Sequence, residues 1–377
     1  MKVVHITPTH FDDSSLIGGG ERYVTELALW MSRVADTTLV SFSRQRKSYR
    51  QENLKVEIYP VKHLIHGNPV NPLSFRYLRS IFQADVVHVH HAHTLVSDMA
   101  CIFASLFGKR AFVTDYGGGG SLTLSNRFPV FEGYQNAIAY SRFGLVLLPP
   151  ELKRKAVLIK GGIDTERFCA NGTQQREKKI LYVGRILPHK GIDYLIEGFR
   201  LLNRSDHTLR IVGRVYSEEY YEYLKRLSSG LNVEFVHDAD DERLIREYRT
   251  ALVTVLPSVH TSYNGSHTRV PELMGFTLLE SQACGTPVIC TDAGAMSEFV
   301  AQDETGFVVE PNSEERIAGA LEKVIASSLN HSDDESRFRR WVEPLSWSKV
   351  VDAHLLTYNA SVASDPKRGT DRGFISP

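Results

Sequence analysis

The chain has little of what several protein classes require. Its 377 residues hold only four cysteines, scattered and with no Cys-x-x-Cys pair. Neither a disulfide framework nor a zinc knuckle is indicated. Net charge is absent, because 44 Lys and Arg offset 44 Asp and Glu. That balance argues against nucleic acid as a partner. No segment approaches the roughly 18 unbroken apolar residues of a membrane span. The opening MKVVHITPTHF is apolar too briefly for a signal peptide and reads as a first β-strand. The expectation is a cytoplasmic protein, at most peripheral at the inner face of a membrane. Asn-x-Ser/Thr patterns at Asn171, Asn203, Asn264 and Asn330 carry no weight in that setting.

What is present is ordinary in amount and specific in order. At 42% hydrophobic and 23% charged residues the composition is that of a globular protein, and the length allows two domains. Short β-branched runs alternate with helical patterns. The first series is VVHIT (3–7), TTLVSF (37–42), DVVHVHH (85–91), RAFVTD (110–115) and LVLLP (145–149). The second is KILYVG (179–184), LRIVG (209–213), NVEFVH (232–237), LVTVLP (252–257), PVICT (287–291) and GFVVE (306–310). Helices are expected at 21–34, 191–202, 313–328 and 346–360. This alternation predicts α/β architecture with parallel sheets covered on both faces. The polar, turn-rich stretch after residue 165 separates the series. It predicts domains at 1–165 and 166–345, a final helix at 346–362 and a disordered tail at 363–377.

The most informative stretch is 271–289, PELMGFTLLESQACGTPVI. Glu272 and Glu280 stand with seven residues between them, and Gly275 falls where an apolar run begins. The pattern reads as loop, short helix, turn, strand. A helix start offers unpaired backbone N–H groups and the positive end of a dipole. An anion flanked by two diols fits such a place, and a nucleotide-sugar has that shape. VGRILPHKGIDYLIEGF (183–199) puts Arg185 at a strand end and Lys190 just before a helix. Two such cations suit a departing diphosphate.

Other motifs are weaker. Gly18, Gly19 and Gly20 open the first helix, but too far from the strand for a dinucleotide-binding loop, with Tyr23 where a third glycine would stand. They suit close backbone approach to a phosphate or sugar. VVHVHHAHT holds His88, His90, His91 and His93. Strand alternation divides the first three between two faces, so no metal site is expected. His90 or His93 suits a contact to sugar hydroxyls. The glycines after TDY, from Gly117, read as a mobile loop or a plain turn. HDADD (237–241) is better explained by Asp240 or Asp241 capping a helix than by a metal. The basic run SRQRKSYR (43–50) is either a solvated face or a surface drawn to anionic lipid.

Together these residues resemble the family 4 retaining glycosyltransferases, glycosyltransferases group 1. KGGIDTERF at the junction, LPS (256–258) and GFVVEP (306–311) add to the likeness. The resemblance implies a GT-B fold: two Rossmann-like doubly wound domains facing an interdomain cleft, with the last helix returning to the first domain. It implies transfer of a sugar from a nucleotide-diphosphate donor, a UDP- or GDP-sugar, to a glycan, lipid-linked or small-molecule acceptor. No metal and no resident cofactor are implied. Arg185 and Lys190 would bind the diphosphate, with Gly19 or Gly20 approaching it. Glu272 would hold the sugar and Glu280 the ribose. Gly275, Phe276, Thr277 and Leu278 would meet sugar and phosphate. The base would lie near His237 and Asp238. Arg185, Lys190 and Glu272 would carry the catalysis. The family's Thr-x-His run reads Thr114-Asp115-Tyr116 here, so Asp115, Tyr116 and Gly117 join His90 and His93 as acceptor or sugar contacts. The long segment before Glu272 offers Tyr263, His267 and Arg269 as further readers. A nucleotide-sugar epimerase, a phosphorylase, or an inactive partner protein on the same fold are the alternatives.

Overall fold

In the computed structural model, residues 1–10, 19–116, 123–172, 175–327 and 335–363 are described. They form two compact units. One is Met1–Ala139 with Leu145–Lys160 and the segment from Ser348 onward; the other is Tyr140–Gly144 with Gly161–Trp347.

The first unit contains β1 (Lys2–His10), α1 (Gly19–Ser32), β2 (Asp36–Ser43), β3 (Lys47–Gln51) and β4 (Leu54–Pro60). A small hairpin of β5 (His63–Leu64) and β6 (Pro72–Leu73) follows, then α2 (Arg79–Phe82), β7 (Val86–His90), α3 (Leu95–Leu106) and β8 (Arg110–Thr114). β9 (Asn136–Ala139), α5 (Pro150–Lys153) and β10 (Ala156–Leu158) complete the run, and α4 (Arg142–Leu147), between β9 and α5, divides at Gly144 between the two units. The sheet order is β10-β9-β8-β7-β1-β2-β4-β3. All pairings are parallel except β3 on β4. The antiparallel edge departs from the all-parallel expectation. A two-residue turn at 52–53 allows it, and β3 is exposed along its length.

The second unit contains β11 (Lys179–Val183), α6 (Ile192–Leu202), β12 (Thr208–Val212), α7 (Glu218–Leu227), β13 (Val233–Val236) and α8 (Asp241–Thr250). It continues through β14 (Val253–Leu256), α9 (Phe276–Ala283), β15 (Val288–Thr291), β16 (Gly306–Val309), α10 (Glu314–Ala326) and α11 (Glu335–Val342). Its six strands are all parallel, in the order β13-β12-β11-β14-β15-β16. The order reverses between β11 and β14, so the ligand crevice of this doubly wound sheet is expected at their C-terminal ends. Helix starts are capped locally. Asp240 accepts from the Arg243 amide at 2.8 Å and Ser313 from the Arg316 amide at 3.2 Å.

LVLLP forms no strand; most of it lies in α4. A continuous apolar run cannot by itself separate strand from helix. The deciding contact is remote: both carboxylate oxygens of Glu298 accept from the first amides of α4, Arg142 and Phe143, at 2.9 Å. The last helix, α12 (Trp347–Ala363), starts in the second unit, and its later turns pack in the first. There the Arg110 guanidinium donates to the Tyr358 carbonyl at 2.6 Å, and the Tyr358 ring lies 4.7 Å from Phe112. The expected disordered tail beyond Ala363, Gly18 and the glycine run including Gly117 fall outside the described residues.

Candidate functional site

At the reversal point of the second sheet, β11 ends at Val183 and Arg185 follows. Arg185 is half-buried, its guanidinium 5.7 Å from the centre of the Tyr216 ring. The chain then makes a short 3-10 turn, Pro188–Lys190. Lys190 is 6% exposed, and its ammonium donates to the Glu272 carboxylate. The same carboxylate oxygen accepts from the Ser258 hydroxyl at 3.4 Å. Ser258 follows β14, and the neighbouring Val259 amide donates to the His189 carbonyl at 2.8 Å. The ends of β11 and β14 are thereby stitched into one floor. Burial, and next the Lys190 ammonium, push His189 down to about 4. It is a neutral neighbour at physiological pH.

α9 points its start at this floor. Gly275 caps it in a left-handed conformation, φ +86°, where an L side chain is strained. The Thr277 hydroxyl donates to the Val183 carbonyl at 3.1 Å, which ties the first turn of α9 to the end of β11. Phe276 and Thr277 are half-buried and Leu278 is in the core. The backbone of Glu272 is fixed from behind. Its carbonyl accepts from the Ala295 amide at 3.0 Å. Gly294 lies so close that an added Cβ would fall 2.1 Å from that oxygen, at φ +69°. In the sequence Ser258 stands out only as the end of LPS, with no role of its own, and Tyr216 and Gly294 do not stand out as site residues. For Gly294 the only signal is its turn composition after VICT.

Arg185, Lys190, Glu272, Gly275 and Thr277 are therefore brought together. Lys190 meets the Glu272 carboxylate beside the start of α9, and Arg185 leaves the end of β11 at the same floor, a set of groups able to hold a doubly charged anion and a hydroxyl beside it. Glu280 lies deeper. It is 2% exposed, and its carboxylate accepts from the Tyr248 hydroxyl at 2.7 Å. His237 and Asp238 follow β13, the outer strand, and both are exposed. The His237 ring engages the Gly213 carbonyl at 2.9 Å and the Tyr221 hydroxyl at 3.0 Å. Asp238 lies 3.7 Å from Arg243. In the segment ahead of Glu272, Tyr263 stacks 4.5 Å from Tyr223 and packs on the core, so it is spent on structure. His267 and Arg269 are exposed.

In the first unit the expected sugar contacts separate. His90 is fully buried, bonded to His5 at 3.0 Å and to the Tyr116 hydroxyl at 2.9 Å. With both ring nitrogens engaged it holds Tyr116 from behind and meets no sugar, which corrects the expectation for His90. Tyr116 is 8% exposed and its ring lies beside Gly20. Gly19 and Gly20 form the first residues of α1, two residues earlier than the helical pattern suggests. His93 is half-buried, edge-on to Phe131 at 5.4 Å. Asp115 accepts from the Ala92 amide at 2.9 Å.

His5, His88 and His90 bring ligand-type nitrogens within 4.8 Å of one another. Alternation had joined His88 and His90 but not His5, which comes from the neighbouring β1 at matched register. His88 is engaged by the Tyr358 hydroxyl at 2.6 Å and the Thr114 hydroxyl at 2.9 Å. The cluster is thus a hydrogen-bonded core. Burial, then neighbouring histidines, hold His88 and His90 well below the usual range.

Comparison with known proteins places the chain among glycosyltransferases. Residues 164–340 match the family model described as glycosyl transferases group 1. A D-inositol 3-phosphate glycosyltransferase of Rhodococcus erythropolis is 29% identical over 216 residues, covering 55% of this chain and 46% of that protein. An uncharacterised glycosyltransferase of Methanocaldococcus jannaschii is 32% identical over 157 residues, 41% of this chain and 37% of that one. The matches thus span about half or less of the curated relatives. Among solved structures, a glycosyltransferase from Rickettsia africae superposes with a TM-score of 0.73 at 17% identity, covering 97% of this chain and 99% of its own. The Anabaena protein HepE, solved in complex with UDP, gives 0.68 at 14% identity, covering 96% and 100%. The chain has the GT-B fold, and its residues 164–340 match the glycosyl transferases group 1.

Proposed function

We propose that the protein is a retaining, metal-independent glycosyltransferase of the family 4 type. It moves a sugar from a UDP- or GDP-sugar to a hydroxyl of a glycan, lipid-linked or small-molecule acceptor. The observation that carries this reading is the convergence of Arg185, Lys190 and the start of α9 at the reversal point of the second sheet. HepE, of the same fold, is solved with UDP, UDP and glucose, and UDP-glucose.

In this reading the diphosphate lies between Arg185, Lys190 and the first amides of α9. Lys190 already donates to Glu272, so one ammonium links the diphosphate to the carboxylate that holds the sugar hydroxyls. Glu280 serves the ribose, and the base lies toward His237 and Asp238. As the bond from the anomeric carbon to the diphosphate breaks, its electron pair goes to the phosphate oxygen, where the two cations and the helix dipole stabilise it. The acceptor oxygen attacks on the same face, and its proton passes to that phosphate oxygen. No protein base is required.

The test is turnover. Candidate donors are offered with an acceptor pool, and nucleoside diphosphate and product are followed by NMR. The expected result is acceptor-dependent diphosphate release, with the sugar keeping its anomeric configuration. Inversion sinks the retaining mechanism. Donor isomerisation without acceptor turns the assignment to an epimerase.

A further inference from the structure

One surface of the first unit carries none of the residues assigned above to sugar transfer. α3 buries Val96, Ala100, Cys101 and Ala104 against the sheet. Its one charged residue, Asp98, is also buried and accepts from the Ser125 amide at 3.0 Å. The opposite face, where a surface helix ordinarily carries charge, is apolar. Met99, Ile102 and Phe103 are half-buried and lean on the core, and at the end of the helix Leu106 is 71% and Phe107 45% exposed.

Neighbouring segments extend the face. Phe82 of α2 is 48% exposed and lies 4.4 Å from the Phe107 ring. Phe75, 54% exposed, precedes the turn that the Tyr77 hydroxyl ties to the Val96 carbonyl at 2.6 Å. Phe128, 59% exposed, follows the turn that Ser125 anchors to Asp98. Among the described residues, seven of the thirteen exposed large apolar side chains fall between Leu64 and Phe128. Exposed apolar side chains gathered on segments that all pack against one helix suit a protein or membrane contact.

Charge decides between them. Arg76, Arg79 and Arg127 lie along the same segments, exposed and with no ion pair among the described residues, whereas Lys109 is close enough to Asp85 to help hold its carboxyl below the usual range. Between 58 and 131 there are only three acids, Asp85, Asp98 and Asp115. Asp98 is buried, Asp115 accepts from the Ala92 amide, and Asp85 from the Lys2 amide at 2.8 Å. A two-fold contact with a second copy would set this face against itself, basic rim on basic rim. An anionic lipid surface complements both features, taking the phenyl and leucyl tips while its phosphates meet the cations.

We propose that the outer face of α3, with the segments at 75–82 and 127–128, docks on an anionic phospholipid bilayer. The basic run at 43–50 is a poorer candidate. Arg46 there lies 3.7 Å from Glu57, and β3 sits at the far edge of the sheet.

The proposal stands apart from the sugar-transfer reading, and its test needs no activity. The full chain is sedimented with vesicles of phosphatidylcholine alone and with added phosphatidylglycerol, at low and high salt. Binding is expected only to the anionic vesicles, weakening with salt. Leu106→Ser with Phe107→Ser should abolish it. Arg76→Glu with Arg79→Glu should weaken it about thirtyfold or more, from about fivefold for each basic charge lost at the surface. All four positions are exposed, so circular dichroism melts should match the wild type; if the serine variant does not fold, the charge variant decides. Equal binding to neutral and anionic vesicles, no binding to either, or unchanged binding by the decisive variant overturns the proposal. So does a wild-type dimer that the serine variant dissociates.

Discussion

Replacing Lys190 with Ala is expected to lower kcat by about 10²- to 10³-fold, the loss typical when a preorganised donor to developing negative charge is removed. Lys190 is buried and already oriented by Glu272, so under the proposed mechanism it would stabilise the departing diphosphate without reorganising. Its removal also leaves the Glu272 carboxylate uncompensated beside the diphosphate. Breaking a buried pair from one side destabilises the fold as well, so the single variant mixes two effects. The double variant Lys190→Ala/Glu272→Gln separates them: stability should largely return while kcat stays low. Arg185→Ala is a cleaner companion, because Arg185 is half-buried and makes no ion pair among the described residues. It should lose activity with little change in melting temperature. Recovery of kcat in the double variant would mean that Lys190 only neutralises Glu272.

Acidification from about pH 7.5 to about pH 5 is expected to cost roughly 4 kcal/mol of stability through two histidines alone. Burial, and next the neighbouring His354, push His5 down to about 3. Burial pushes His354 down to about 4. Above the unfolded value near 6.5 both states are neutral and stability is full. As pH falls from there toward 3–4, the unfolded chain takes up protons that the folded chain refuses. Stability is lost through that window, about 2 kcal/mol per histidine by about pH 5. His88 and His90 are depressed by the same burial and add to the loss. Asp98 and Asp193, raised by burial, act in the opposite sense. Urea midpoints across this range should fall steeply, and His354→Gln should flatten the slope. A flat profile would contradict a neutral buried cluster.

The strand series was largely legible because β-branched runs between turn residues leave few alternatives. All six strands of the second sheet match sequence segments within two residues at either end. The exceptions share a cause. α4 depends on a carboxylate 155 residues away, and β9 and β10 are too short for a clear period. The β3–β4 hairpin is made by a tight turn that carries no glycine. Of the residues proposed for the site, Arg185, Lys190 and Gly275 stand out in the sequence because each lies next to an element end, and Glu272 because of its spacing from Glu280. Ser258 and Gly294 were not, since their importance lies in contact with Glu272 across the fold. His90 misled because alternation shows which face a side chain takes, not that His5 and Tyr116 wait there.

Calorimetric titration of nucleosides, nucleoside monophosphates and nucleoside diphosphates tests the central claim most directly, using the uridine and guanosine series. Affinity is expected to rise with the second phosphate, and this increment to disappear in Arg185→Ala and Lys190→Ala. A nucleoside that binds as tightly as its diphosphate, or an increment that survives both substitutions, would contradict that claim.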